Sequence, residues 1–226
     1  MARMEITSKV VIQYDEIRSV RSSRFVERQI TLCGLKKLLI MGISLKFKGS
    51  LDDTSKISKI RCELKNLATT LKWDHKEWND DWAKPCDARL EFIDGKRKIA
   101  GHFSLKGATL VVGEKSEAIP ILFDAHGSLC SPLQILNKNT SPPAEPVGVT
   151  LKDTRSDNFI WLMGLLKYLK KNYISDLEVS DDLDFWNTGD RQKLEQLLPA
   201  GQSSVSLYTV DQVASKLETM FKVMQN

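Results

Sequence analysis

Three aspartates, Asp181, Asp182 and Asp184, stand within four positions of the stretch DLEVSDDLDFWNTGD, residues 176–190. With Asp176, Glu178 and Asp190 they put six carboxylates into fifteen positions. Hard oxygen donors suit a magnesium-type cation, which takes one or two carboxylates and completes its shell with water and phosphate. Asp181, Asp182 and Asp184 are therefore the candidate metal ligands, with His102 or His126 as an acid or base beside them. A calcium loop does not fit, because its glycine sits mid-loop before a distant glutamate, and Gly189 falls too late. The same acids also have structural uses. Strand alternation turns Asp176, Glu178 and Ser180 to one face and Leu177 and Val179 to the other. Asp181, Asp182 and Asp184 suit a turn, and Asn187 or Thr188 is placed to cap the next helix with Asp190 in its first turn. No cofactor is evident beyond that divalent metal.

A second constellation is KWDHKEWNDDW, residues 72–82. Trp73, Trp78 and Trp82 fall four to five residues apart among acids that include Asp80 and Asp81. Tryptophans rimmed by carboxylates make a binding surface for a protein, a cationic group or a sugar-like ligand. The plainer use is to pack a polar loop against the helix before it. These five residues are the candidate ligand or partner site.

The positive charge is unevenly distributed. Residues 1–48 carry ten Lys and Arg against four Asp and Glu, about +6 of a net charge of +4, so the remainder is about −2. Arg18, Arg21, Arg24 and Arg28 are the residues through which a nucleic acid would be held. The folded body lacks such a bias. Cys86, His102, His126 and Cys130 lack the two close ligand pairs usual in structural zinc. No GxSxG elbow or glycine-rich phosphate loop occurs. Four scattered cysteines read as free thiols of a reducing cytoplasm, and no secretory leader is visible at the start. The longest apolar run, FIWLMGLL at 159–166, is far below the roughly twenty residues a membrane span needs.

The elements that must position these residues follow from periodicity. MGISLKFKG alternates Ile43, Leu45 and Phe47 with polar residues, which predicts a strand opening the domain near Met41. Residues 1–40 are then a basic N-terminal extension, or they supply an extra strand. Ile57, Ile60, Leu64, Leu67 and Leu71 mark one face of a helix, with Asp53 or Thr54 as its cap. ARLEFIDGKRKIAGHFSLKG predicts a hairpin turning at Asp94-Gly95. ATLVVG and AIPILFDAHG predict two more strands, and residues 137–149 a proline-rich loop. SDNFIWLMGLLKYLKKNY predicts a buried helix capped by Ser156, followed by a strand, a short helix and a closing helix. The order implies an α+β fold, mostly antiparallel with helices packed on one face. Read twice as strand, helix and returning strands, it fits two ferredoxin-like units. The domain spans 41–226, with halves at 41–136 and 150–226 around the proline-rich loop.

YLKKNYISDLEVSDDLDFWNTGD, preceded by GHFSLKG and LFDAHGSLCSP, resembles a group of small bacterial α+β proteins with no assigned activity. The likeness covers about residues 41–200. That group's pattern has Asp-Glu-Gly-Gly before an aromatic pair, whereas this chain has Asp181-Asp182-Leu183-Asp184 before Phe185-Trp186. The resemblance implies a bacterial, cytoplasmic α+β domain. The leading functional expectation is a non-catalytic domain that binds a protein or a small ligand. A divalent-metal-dependent enzyme built on residues 176–190 is the alternative, and nucleic-acid binding through the N-terminal arginines a third.

Overall fold

A computed structural model describes residues 42–93, 96–113, 116–136, 145–152, 154–199, 205 and 208–224. Residues 1–40, with the four candidate arginines, and most of the proline-rich loop lie outside them. Eight strands and six helices are described, and all strand pairs are antiparallel. The protein is thus α+β with small antiparallel sheets.

The first sheet joins the opening strand to two strands from much later in the chain. Strand β1 (Ile43–Lys48) lies between β7 (Val147–Leu151) and β8 (Glu178–Asp181). Phe47 sits opposite Val147 on one side and Val179 on the other. Ile43, Leu45 and Phe47 are buried while Lys46 and Lys48 are exposed, as the period-two pattern requires.

The second sheet has the order β2 (Asp74–Asn79), β5 (Lys106–Val111), β6 (Ile119–Phe123). Its β2 strand falls where the sequence reads as a polar loop. DHKEWN has no buried alternation, and pairing with β5 makes it a strand. Gly107 allows β5 to approach β6 so closely: at φ 139 a Cβ there would lie 2.1 Å from the Ile121 carbonyl oxygen. The hairpin β3 (Arg89–Ile93) and β4 (Lys96–Ala100) forms as the Asp94-Gly95 signal predicts, and makes its own two-stranded sheet.

Helices close the layers. A 3-10 turn at Thr54–Lys56, capped by the Asp53 carboxylate, leads into α1 (Ile57–Leu71). Then follow α2 (Pro132–Leu136), α3 (Ser156–Asn172), α4 (Phe185–Thr188), α5 (Arg191–Leu197) and α6 (Val210–Met224). α3 is buried almost all round from Phe159 to Leu169. Ser156 is its first helical residue, not its cap; it is buried, and its N–H donates to the Pro199 carbonyl at 3.0 Å. A tertiary partner thus does what a capping side chain would have done. α6 opens with a reciprocal cap, in which Gln212 Oε1 accepts from the Thr209 N–H and Thr209 Oγ1 from the Gln212 N–H. The large core draws on β1, α1, β5, β6, β7, α3 and α6 together, and a smaller one gathers Phe103, Leu105, Leu122, Cys130 and Ile135. Among the described residues, no helix is long and apolar enough to cross a membrane.

Candidate functional site

The three aspartates are dispersed by their hydrogen bonds. Asp181 ends β8, and its carboxylate accepts from the backbone N–H groups of Leu183, Phe185 and Trp186 at 2.9–3.0 Å. It therefore holds the turn and the first turn of α4. Asp182 points elsewhere and accepts from the Ser44 N–H at 2.8 Å, tying the turn to β1. Asp184 takes φ 56, a conformation Asp tolerates better than most residues, and accepts from the Asn187 side chain. The next helix is capped by Asp190, which accepts from the Lys193 N–H at 3.1 Å, and not by Asn187 or Thr188. No group of three His, Cys, Asp or Glu is placed to hold a metal ion among the described residues. Asp181→Ala is expected to cost about 1–2 kcal/mol, the usual loss of a helix cap. The loss should be the same with and without magnesium in a thermal melt.

The tryptophans also separate. Trp73 lies in the large core and donates its indole N–H to Asn158 Oδ1 at 3.2 Å. Trp78 packs edge-on against Phe103 at 5.5 Å in the small core, and Trp82 rests on the large one. Lysines cover both half-buried rings, Lys76 over Trp78 at 4.3 Å and Lys106 over Trp82 at 4.6 Å. Asp80 accepts from the Leu105 N–H and Asp81 from the Ala83 N–H. Trp73 precedes β2, Trp78 lies within it and Trp82 follows it, and the three rings pack on different sides. His102 is engaged locally: its Nδ1 lies 3.2 Å from Ser104 Oγ and 3.4 Å from the Pro85 carbonyl. Cys62 and Cys86 are exposed free thiols, and Cys130 is buried in the small core.

A concave feature lies elsewhere among the described residues, between α1, the end of α3 and α6. A cavity of about 280 Å³ is lined by Lys56, Lys59, Glu63, Tyr168, Asn172, Tyr173, Glu218, Phe221 and Lys222. Lys56, the last residue of the 3-10 turn, and Lys59 and Glu63 of α1 follow one another at three- and four-residue spacing. Glu63 is only 4% exposed. Its carboxylate accepts from the Tyr168 hydroxyl at 3.0 Å and from the Tyr173 hydroxyl at 3.0 Å. The two rings meet edge to face at 5.9 Å, and Phe221 packs on Tyr168 at 5.0 Å.

The backbone fixes this floor. Tyr173 ends α3, donating its N–H to the Leu169 carbonyl, and its own carbonyl accepts from the Asp52 N–H at 2.9 Å. The Asp52 carboxylate in turn accepts from the Ser175 hydroxyl at 2.6 Å, clamping the approach to α1 onto the end of α3. Asn172 spends its Nδ2 on the Tyr168 carbonyl at 2.9 Å. At the rim, Glu218 pairs with Lys171 at 2.9 Å and with Lys222 at 3.0 Å. Those contacts, Lys171 first, hold the Glu218 carboxyl below its ordinary value.

Burial pushes the Tyr173 hydroxyl up to about 12, with the nearby Glu63 charge acting the same way. Burial raises Tyr168 further, reinforced by its hydrogen bond with Tyr173 and by Glu63. Both phenols therefore remain protonated donors at neutral pH. Folded-state values above the ordinary 10.0 mean that this stabilisation is complete below pH 10 and is lost as pH rises through 12. Melting temperatures over that window should fall less steeply in Tyr168→Phe/Tyr173→Phe than in the wild type.

Sequence reasoning did not find this site, although α1 carries one signal for it. Glu63 stands three residues after Ile60 and four before Leu67, a carboxylate on the apolar face. Compared with protein-family models, with curated proteins and with solved structures, the chain matches none, so the reading of the site rests on its own geometry.

Proposed function

We propose that this chain is a non-catalytic binding domain whose ligand is a small molecule held between α1, α3 and α6. The observation that carries this is the buried Glu63–Tyr168–Tyr173 cluster at the floor of the cavity. Buried polar groups are costly unless they are satisfied, and a satisfied network facing an opening is a preorganised set of contacts. The volume is at the small end of the roughly 300–1,000 Å³ usual for ligand sites, so the ligand is small. Against catalysis by this cluster, both tyrosines hold their protons far above neutrality, and both hydroxyls donate to Glu63. Neither is a general base near pH 7. The resemblance carried by residues 41–200 supports a bacterial, cytoplasmic setting.

The test is NMR of the full chain with isotope-labelled tyrosine, titrated with small amines, carboxylates, zwitterions and neutral polar molecules. At least one class should move the ring signals of Tyr168 and Tyr173. Asn172→Trp, which fills the mouth from a half-buried position, should abolish the response. If no class moves those rings in the wild type, the pocket is not a ligand site.

A further inference from the structure

We propose that the β3–β4 hairpin docks an extended peptide segment of a partner protein, one in which apolar residues alternate with acidic ones. The segment adds a third strand beside β4. This surface shares no residue with the cavity between α1, α3 and α6.

The hairpin is rooted in the fold. Ala88 packs on the small core, and the Asp87 N–H donates to the His102 carbonyl at 3.0 Å. Past that root, β3 and β4 pair with each other and with no third strand among the described residues, so each keeps an open edge. Leu90 and Ile99 are register partners and are 54% and 37% exposed. Phe92, two residues beyond Leu90, is 71% exposed. Register partners and alternate residues share a face, so the three form one apolar patch in contact with water. A two-stranded hairpin alone is marginal, and another strand is what lets such a sheet stand. Its open edge is a row of backbone donors and acceptors ready for a further chain.

Charge identifies the partner. Between Arg89 and Ala100 the sequence holds Arg89, Lys96, Arg97 and Lys98 against Glu91 and Asp94. Glu91 is already paired with Arg89 at 2.6 Å, so the excess positive charge belongs to β4. By register Arg97 stands opposite Phe92 and Lys98 opposite Glu91, which places Lys96 and Lys98 on the face away from the apolar patch. A strand beside β4 meets Ile99 on one face and two lysine positions on the other. Apolar and acidic residues in alternation complement both. A second copy fits worse, because β4 against β4 sets two Lys-Arg-Lys runs side by side, and like charges opposed across a sheet destabilise it. A lipid surface or a nucleic acid supplies anions but no ladder of peptide groups for the edge. A peptide backbone with acidic side chains supplies both.

The test is NMR of the full chain, labelled at its backbone nitrogens, with two short capped peptides. One alternates valine with glutamate and the other valine with lysine. The glutamate peptide should shift the amide signals of residues 96–100 and bind about tenfold more tightly than the lysine peptide, the sum of several cross-strand charge pairs. Leu90→Ser/Ile99→Ser alters only exposed side chains and should weaken the glutamate peptide about tenfold. Lys96→Glu/Arg97→Glu/Lys98→Glu should exchange the preference, so that the lysine peptide becomes the tighter of the two. Equal binding of both peptides by the wild type, or β4 amides that respond to neither, overturns the proposal. So does a hairpin that responds instead to phosphatidylserine vesicles or to oligouridylate, or one that dimerises with rising protein concentration and ignores the glutamate peptide.

Discussion

Glu63→Leu should lower stability by about 3 kcal/mol, the scale of losing a buried charged acceptor from two hydrogen bonds. In a domain of this size that is a fall in melting temperature of roughly 10 °C. The substitution suits the helix and the surrounding apolar face, so neither propensity nor polarity explains the loss. What remains is a pair of buried hydroxyls, Tyr168 and Tyr173, both 4% exposed and deprived of the carboxylate they donate to. Their mutual contact at 3.5 Å is too long to replace it. Removing the two hydroxyls together with the carboxylate costs less than removing the carboxylate alone, because neither hydroxyl is then stranded. The triple variant Glu63→Leu/Tyr168→Phe/Tyr173→Phe should therefore be more stable than Glu63→Leu alone. Chemical denaturation of the four combinations decides it. A triple variant as unstable as the single one would mean that the phenols do not depend on Glu63.

How far this site and its frame could be read in advance depends on whether the information is local. Ile57, Ile60, Leu64 and Leu67 declare α1 because a helix buries every third or fourth residue whatever it packs against. Ile43, Leu45 and Phe47 declare β1 by alternation, and Asp94-Gly95 declares the hairpin by its turn chemistry. β2 is different. DHKEWN carries no pattern of its own and becomes a strand through β5, whose pairing lies thirty residues further on. That one non-local fact dispersed the tryptophan site, since Trp73 turns into the core while Trp78 and Trp82 fall on separate clusters. The acidic stretch was legible as structure but not in detail. Asp181 and Asp190 serve local backbone N–H groups, but that Asp182 serves the Ser44 N–H depends on β1 lying beside β8. The pocket was hardest to see. Glu63 and Tyr168 are 105 residues apart, and nothing in either helix names the other.

Gly164 is where the same frame is most sensitive. Gly164→Leu is expected to destabilise by about 3 kcal/mol or more, the upper range for overpacking a filled core. A Cβ at this position would lie 2.4 Å from Val213 Cγ1 and 2.9 Å from Val213 Cβ. Real side chains do not approach so closely, and Val213, itself fully buried, has no open space to rotate into. The glycine costs about 1 kcal/mol of helix propensity in the middle of α3. What it permits is the close contact of α3 with α6, the helix that brings Phe221 and Lys222 to the pocket. The effect should therefore reach beyond stability. Gly164→Ala with Val213→Ala removes the clash and should recover most of the loss of Gly164→Ala alone, as measured by urea denaturation. In Gly164→Ala without that relief, α6 must shift outward and carry Phe221 away from Tyr168. The Tyr168 ring signal should then move even before any ligand is added. A full loss of stability in the relieved double variant would place the cause in the α3 backbone and not in the helix contact.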